Sequence, residues 1–348
     1  MKTYRIALMP GDGIGVEVID EAVRVLEAAA ARHPLAFEFE TLSAGAGEYL
    51  RSGDPLPPAT FERSKQFDAI LLGAMGLPGV RWPSGVEMTP QLDLREKLDL
   101  YRGLRPLYLF HENDTPLKGR AAGSIDMLII RENTEGLFSS RLAAQPPGGA
   151  MECRDTMLIT RRGAERICRA AFVEARKRRR HVTLVDKANV LPSMAFFRSV
   201  FDEVAADYPD VATDRVYVDA MALYLVQRPE RFDVLVTENM FGDILSDLAA
   251  AVVGGMGMAP SGDIGDKYAV FQPSHGTAPD IAGKGIANPV AAILSAAMML
   301  DWLGEPAAAR SIERATRQVL SDPSARAADL GGRMTTKKLG GAIAAAIG

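Results

Sequence analysis

Tyr4-Arg5-Ile6-Ala7-Leu8-Met9-Pro10-Gly11-Asp12-Gly13-Ile14-Gly15 carries an apolar strand into a glycine turn, and a helix begins at once. That helix, Ile14 to Ala31, sets Val18, Ala22, Val23 and Leu26 on one face. The order strand, glycine turn, helix invites a dinucleotide-binding reading. The spacing refuses it: the turn is G-x-G-x-G, whereas the Rossmann fingerprint is G-x-G-x-x-G with an acidic residue at the end of a second strand. No such acidic residue stands out. The glycines read instead as a tight turn that permits close backbone approach. The fold reads as α/β but not Rossmann.

The alternation continues downstream. Asp68 to Leu72, Asp126 to Ile130, Val182 to Val185, Arg215 to Val218 and Asp233 to Val236 read as strands. Helical periodicity covers about 162–178, 192–207, 241–254, 289–302, 306–320 and 335–347. Short apolar strands between amphipathic helices describe a sheet covered on both faces. Residues 139–155 break the pattern, and Ala143-Ala144-Gln145-Pro146-Pro147-Gly148-Gly149 reads as a protruding loop or arm.

Composition narrows the class. The 348 residues are 47% apolar and 24% charged, ample for a large core. A net charge of −4 argues against general nucleic-acid affinity. The basic run Arg176-Lys177-Arg178-Arg179-Arg180-His181 ends a helix, where cations suit the dipole, and reads as solvated. Cys153 and Cys168 are too few for a disulfide framework or a zinc site. Met1-Lys2-Thr3 leads straight into a strand without a signal-peptide pattern, and no apolar run is long enough to span a membrane. The expectation is a cytoplasmic enzyme with neither nucleic acid nor membrane as partner.

Several motifs carry chemistry. Asp243 and Asp247, in Asn239-Met240-Phe241-Gly242-Asp243-Ile244-Leu245-Ser246-Asp247, stand at i and i+4, on one helix face. Like charges so placed repel, and a hard divalent cation would compensate them. The alternative is a helix-start aspartate followed by a solvated one. Asp219 follows the strand-like Arg215-Val216-Tyr217-Val218, at a strand end where α/β enzymes build sites. Arg95, Arg105 and Arg131 together would suit a polycarboxylate, since the guanidinium fork binds carboxylates bidentately; singly, each reads as a salt-bridge arginine. Lys187, in Val185-Asp186-Lys187-Ala188-Asn189-Val190, ends another strand, where a lysine can be tuned to act as a base or simply be solvated. The run Pro273-Ser274-His275-Gly276-Thr277-Ala278-Pro279-Asp280, continuing to Asn288-Pro289, is a loop able to offer N–H groups to phosphates and a carboxylate to ribose.

Together these blocks, above all Asn239 to Asp247 and His275 to Pro289, resemble the β-decarboxylating dehydrogenases, the isocitrate/isopropylmalate dehydrogenase family. The likeness runs from Gly11 to the last helix and is nearest to the short bacterial NAD-dependent branch, which includes enzymes of 3-isopropylmalate, tartrate and D-malate. It implies two α/β domains around a cleft: a large one from 1–100 plus 253–348, and a central dimerising one from 101–252 with an arm near 139–155. It implies that Arg95, Arg105 and Arg131 grip substrate carboxylates, with Gln91, Leu92 and Val190 beside the substrate. Asp243 and Asp247 would hold Mg²⁺ or Mn²⁺, with Asp219 and Lys187 supplied by the other subunit of a homodimer. Lys187 would help deprotonate the C2 hydroxyl. His275, Gly276, Thr277, Ala278, Asp280, Asn288 and Asn189 would bind the cofactor. Asp280 facing the ribose hydroxyls favours NAD over NADP.

The chain departs from that pattern in places. Phe138 stands where the family carries the tyrosine that protonates the enolate left by decarboxylation. Gln91-Leu92 stands where isopropylmalate enzymes carry two leucines, and Arg102 where a small residue is usual. A buried glutamine suits a polar substituent better than an isopropyl group. The sequence therefore reads as an enzyme of tartrate, malate or a substituted malate, oxidised with or without decarboxylation. 3-Isopropylmalate is the alternative substrate. A catalytically impaired paralogue that binds ligand or stabilises a heteromer is an alternative of another class.

Overall fold

A computed structural model describes residues 2–143 and 149–348. Residues 144–148, most of the expected loop or arm, lie outside the described residues. In chain order the strands are β1 (Lys2–Gly11), β2 (Leu35–Thr41), β3 (Ala69–Ala74), β4 (Arg102–Tyr108), β5 (Asp126–Glu132), β6 (His181–Asp186), β7 (Ala212–Tyr217), β8 (Val234–Thr237), β9 (Pro260–Ile264) and β10 (Ala269–Pro273). The helices are α1 (Gly15–Ala30), α2 (Ala46–Ser52), α3 (Pro58–Ser64), α4 (Pro90–Lys97), α5 (Arg161–Arg176), α6 (Pro192–Ala205), α7 (Val218–Gln227), α8 (Asn239–Val252), α9 (Val290–Trp302), α10 (Pro306–Leu320) and α11 (Thr336–Ala345). No helix among the described residues is long and apolar enough to cross a membrane.

The chain divides into two compact units. The first comprises Met1–Leu100, Tyr108–Ser124 and Ala250–Gly348. Its strands lie in the order β2-β1-β3-β10-β9. The β1–β2, β1–β3 and β3–β10 pairs are parallel, and β9 is antiparallel to β10. Every residue of β3 is buried, which is why Ala69–Ala74 is uninterruptedly small or apolar. Helix α1 buries Val18, Ile19, Ala22, Val25, Leu26 and Ala29, the stripe that its period predicts. Tyr108–Ser124 belongs to this unit rather than to the central domain assigned from sequence. Its anchor is Asp114, which accepts from buried Arg326 Nε at 2.6 Å, 212 residues away in the chain.

The second unit comprises Tyr101–Leu107 and Ile125–Ala249, with strand order β4-β5-β8-β6-β7. β8 runs parallel to β5 and β6, and β6 parallel to β7. Its largely aliphatic core includes an aromatic stack: the Phe172 ring lies on Phe201 at 5.4 Å and on Tyr208 at 4.7 Å.

The basic run at the end of α5 is largely exposed, as expected of a solvated helix end, and is also paired. Arg176 pairs with Asp210, Lys177 with Glu174, and Arg178 with both Asp126 and Asp233. Arg179 donates to the carbonyls of Asp126 and Phe232. Arg178 and Arg179 clamp the end of α5 to the start of β5 and to the residues just before β8. Asp219 sits differently from its expected strand end: β7 stops at Tyr217, and Asp219 lies in the first turn of α7.

Phe172→Ala should cost about 3–5 kcal/mol, the range for emptying a buried phenylalanine site. Urea unfolding of the second unit measures it, and a loss below about 1 kcal/mol contradicts this packing.

Candidate active site

In the second unit the site grows from the end of β5. Arg131 is buried there, and a buried cation must find acceptors. Its Nε and Nη2 donate to Asn239 Oδ1 at 2.9 and 2.7 Å, and its Nη1 pairs with Asp243. Both acceptors stand on α8, so the guanidinium fixes that helix against the strand. The approach is tight: a Cβ on Gly242 would lie 2.7 Å from Arg131 Cβ. Glu238, fully buried, caps the helix by accepting from Met240 N at 3.1 Å and Phe241 N at 2.6 Å. Desolvation holds the Glu238 carboxyl above its ordinary pKa, against those N–H donors and Arg131.

One helical turn beyond Asp243 comes Asp247. Its carboxyl is pushed up first by desolvation and then by Asp243, while Arg105 and Arg131 pull it down. Two carboxylates of one helix turn, one of them raised by its neighbour, form a donor set that a divalent oxygen-seeking cation fits. Arg105 is buried on β4, where Gly103, Arg105 and Leu107 share the buried face. Phe138 lies over Arg131, its ring centroid 5.1 Å from the guanidinium carbon. The neighbouring Ser139 hydroxyl donates to the Gly136 carbonyl at 2.8 Å, so its proton is engaged.

Lys187 and Asp219 form a pair of their own. Lys187 Nζ donates to Asp219 Oδ1 at 2.7 Å, and that bond holds the Asp219 carboxyl below the usual range. Among the described residues of one chain, no group of three or more His, Cys, Asp or Glu is close enough to hold a metal ion. The structure thus brings Asp243 to Asp247 and Lys187 to Asp219 as separate pairs. Asn189 and Val190 are exposed on the turn after β6, with Val190 64% accessible.

In the first unit, Arg95 of α4 is buried and donates from Nε to Asp263 Oδ2 at 2.9 Å. Gln272 donates to the same oxygen at 2.8 Å. Breaking one partner of such a buried pair costs about 3–5 kcal/mol, so Arg95 is locked in place. Gln91 precedes Arg95 by one turn of α4, and its Oε1 is buried with no hydrogen-bond partner. Leu92 beside it is half-buried.

A pocket of about 310 Å³ is lined by Ile14, Gly257, His275, Ile281, Ile286, Asn288, Ala328 and Asp329. It joins two expected cofactor residues, His275 and Asn288, to others that sequence reasoning missed. Ile14, Ile281 and Ile286 supply flat apolar walls. Asn288 Nδ2 donates to Asp329, its Oδ1 accepts from Val290 N at 3.1 Å, and Gly257 leaves the space that both need. Desolvation raises the Asp329 carboxyl. His275 Nδ1 donates to the Gly276 carbonyl at 2.9 Å, leaving Nε2 buried and unpartnered as an acceptor. Apolar walls with a few convergent polar groups suit an adenine-like base. Thr277 is buried behind the pocket, Ala278 takes a left-handed φ of 37°, and Gly276 and Asp280 are exposed outside the lining.

Residues 5–343 match the family model described as isocitrate/isopropylmalate dehydrogenase. The chain is 45% identical over 327 residues to a 3-isopropylmalate dehydrogenase of Moorella thermoacetica, covering 91% of each. It is 45% identical over 350 residues to one of Corynebacterium efficiens, covering 99% of each. An isocitrate dehydrogenase from Methylococcus capsulatus superposes with a TM-score of 0.90 at 40% identity, over 99% of both chains. A beta-decarboxylating dehydrogenase from Thermococcus kodakarensis gives 0.82 at 40% identity, over 99% of this chain and 96% of that one. Fold and matches define the class, a decarboxylating dehydrogenase. The chain belongs to the isocitrate/isopropylmalate dehydrogenase family.

Burial lowers the His275 pKa from its ordinary 6.5. The unfolded chain then binds a proton that the folded chain refuses. Stability should fall as pH drops through about 6.5, and level off below the folded pKa. His275→Asn should therefore lose less stability than the native chain between about pH 7.5 and 5.5. Parallel stability curves from urea titrations at the two pH values would count against this.

Proposed function

We propose that this enzyme oxidises a C3-substituted malate with NAD and a divalent cation, and that 3-isopropylmalate is the substrate. The carboxylate pair Asp243 and Asp247, braced by Arg131, carries the reading; relatives named 3-isopropylmalate dehydrogenase support the choice of substrate. Asp243 and Asp247 would hold Mg²⁺ or Mn²⁺, joined by Asp219 of a second copy. When bound, the cation supplies Lewis-acid polarisation of the substrate's hydroxyl oxygen, and NAD supplies the hydride acceptor. Arg95, Arg105 and Arg131 bind the carboxylates, and the Lys187–Asp219 pair moves the proton off the C2 hydroxyl. The pocket between Ile14 and His275 takes the adenine of NAD, and the carboxylate of Asp280 disfavours a 2′-phosphate nearby.

A homodimer supports this arrangement. Val190, Leu223, Val226 and Tyr217 are exposed apolar side chains on the turn after β6, the end of β7 and α7. These are the elements that carry Lys187 and Asp219.

Gln91 favours a second reading, in which the C3 substituent is polar. Its unpartnered buried Oε1 would accept from a hydroxyl, as in tartrate. Phe138 bears on the later step. It has no proton to give, and neither does the engaged Ser139 hydroxyl, so protonation of the carbon that loses CO₂ is unassisted by either.

A panel of 3-isopropylmalate, malate and tartrate, followed by NADH absorbance and CO₂ release, tests these roles. The expected result is turnover of 3-isopropylmalate that chelation abolishes and Mg²⁺ or Mn²⁺ restores, with Phe138→Tyr raising CO₂ release by up to about 10²-fold. Higher kcat/KM for tartrate, lost in Gln91→Leu, would transfer the assignment to the polar substrate. Turnover that survives chelation would contradict both.

A further inference from the structure

We infer that Asp12 is a positioning residue for the nucleotide pocket: its buried carboxylate ties the Gly11–Gly15 turn to two other loops and thereby fixes Ile14 in the pocket wall. The turn failed as a phosphate cradle on its spacing, and neither substrate nor cation binding uses it. Asp12 is only 6% exposed, yet its carboxylate is fully occupied. Oδ2 accepts from Ala46 N at 2.7 Å and Gly76 N at 2.9 Å, and Oδ1 accepts from Gly47 N at 2.8 Å. The donors come from the segments after β2 and after β3, so one charge gathers chain leaving three neighbouring parallel strands. Charge-assisted bonds of this kind are strong, and they make burial of the carboxylate tolerable.

The segments close tightly on it. A Cβ at Gly45 would lie 2.5 Å from Asp12 Oδ2, and one at Gly47 would lie 3.1 Å from Oδ1. On its other side Asp12 N donates to Ala74 O at 2.7 Å. Two residues on, Ile14 N donates to Thr277 O at 2.9 Å. Gly13 turns with φ 59°, and a Cβ there would sit 2.0 Å from the same carbonyl. Ile14 is thus held between a carboxylate hub and the loop that carries His275. Glu17, in the first turn of α1, extends the latch by accepting from Gly283 N, between Ile281 and Ile286. Displacing Asp12 should move the Ile14 wall and leave the substrate arginines in place.

This inference rests on the pocket's being the cofactor's. The test uses ADP-ribose, which is NAD without its nicotinamide, in direct binding titrations, together with steady-state kinetics. Asp12→Asn turns an amide N–H₂ toward backbone donors. It should weaken ADP-ribose binding and raise the NAD KM about tenfold, with kcat and the substrate KM within about twofold of native. If Asp12→Asn does not fold, Gly47→Ala, which presses on Oδ1, should shift the NAD KM the same way by less. A lowered melting temperature with unchanged ADP-ribose affinity and NAD KM would overturn the inference, as would a substrate KM that rises in step. Ile14→Asp separates the two layers. ADP-ribose affinity unchanged by Ile14→Asp would overturn the cofactor reading of the pocket and this inference with it, whereas affinity unchanged by Asp12→Asn alone would overturn only the role of Asp12.

Discussion

A buried guanidinium at the end of a strand must be neutralised, and the need of Arg131 organises the second unit. Asn239 and Asp243 meet it, both from α8, so the register of that helix against β5 is set by hydrogen-bond geometry. Gly242 allows the approach and Glu238 caps the helix start. Asp247 then follows one turn later, where desolvation first and the neighbouring Asp243 second push its carboxyl pKa up. Arg131 offsets the charge of Asp243, and in the proposed function a cation would offset the charge that remains.

The first unit solves a related problem with anions. Asp12, Asp114 and Asp263 are buried carboxylates, and each joins segments separated in sequence. Asp263 locks Arg95, Asp114 locks Arg326, and Asp12 locks backbone N–H groups. Paired or saturated charges of this kind add little net stability but strongly penalise misplacement. They give the loops at the strand ends a single arrangement around which a cofactor pocket can form.

Much of this was legible in the sequence, for identifiable reasons. The long helices announce themselves through periodicity, and β1, β3, β5, β6 and β8 through their apolar runs, whereas β2 and β10 went unread. β4 and β9 do not announce themselves either: Arg102-Gly103-Leu104-Arg105-Pro106 and Pro260-Ser261-Gly262-Asp263 have poor strand propensity, and tertiary pairing overrides it. The first turn of α7 passed for a strand end because Val218 continues the apolar run of β7. The charged and amide candidates were singled out because arginine forks and paired aspartates signal chemistry by type. Ile14, Ile281, Ile286 and Ala328 were not, since an apolar residue in a loop carries no such signal until distant loops enclose a pocket. Asp329 was missed because its partner, Asn288, lies 41 residues away.

One chain holds Asp243 with Asp247 and, separately, Asp219 with Lys187, and the proposed centre requires a second copy to unite them. Co-refolding inactive Asp219→Asn chains with inactive Asp243→Asn chains tests this directly. Half of the randomly paired dimers are hybrids, and each hybrid has one intact centre of two, so activity should recover to about one quarter of native. Recovery no greater than the sum of the two separate variants would contradict the shared centre.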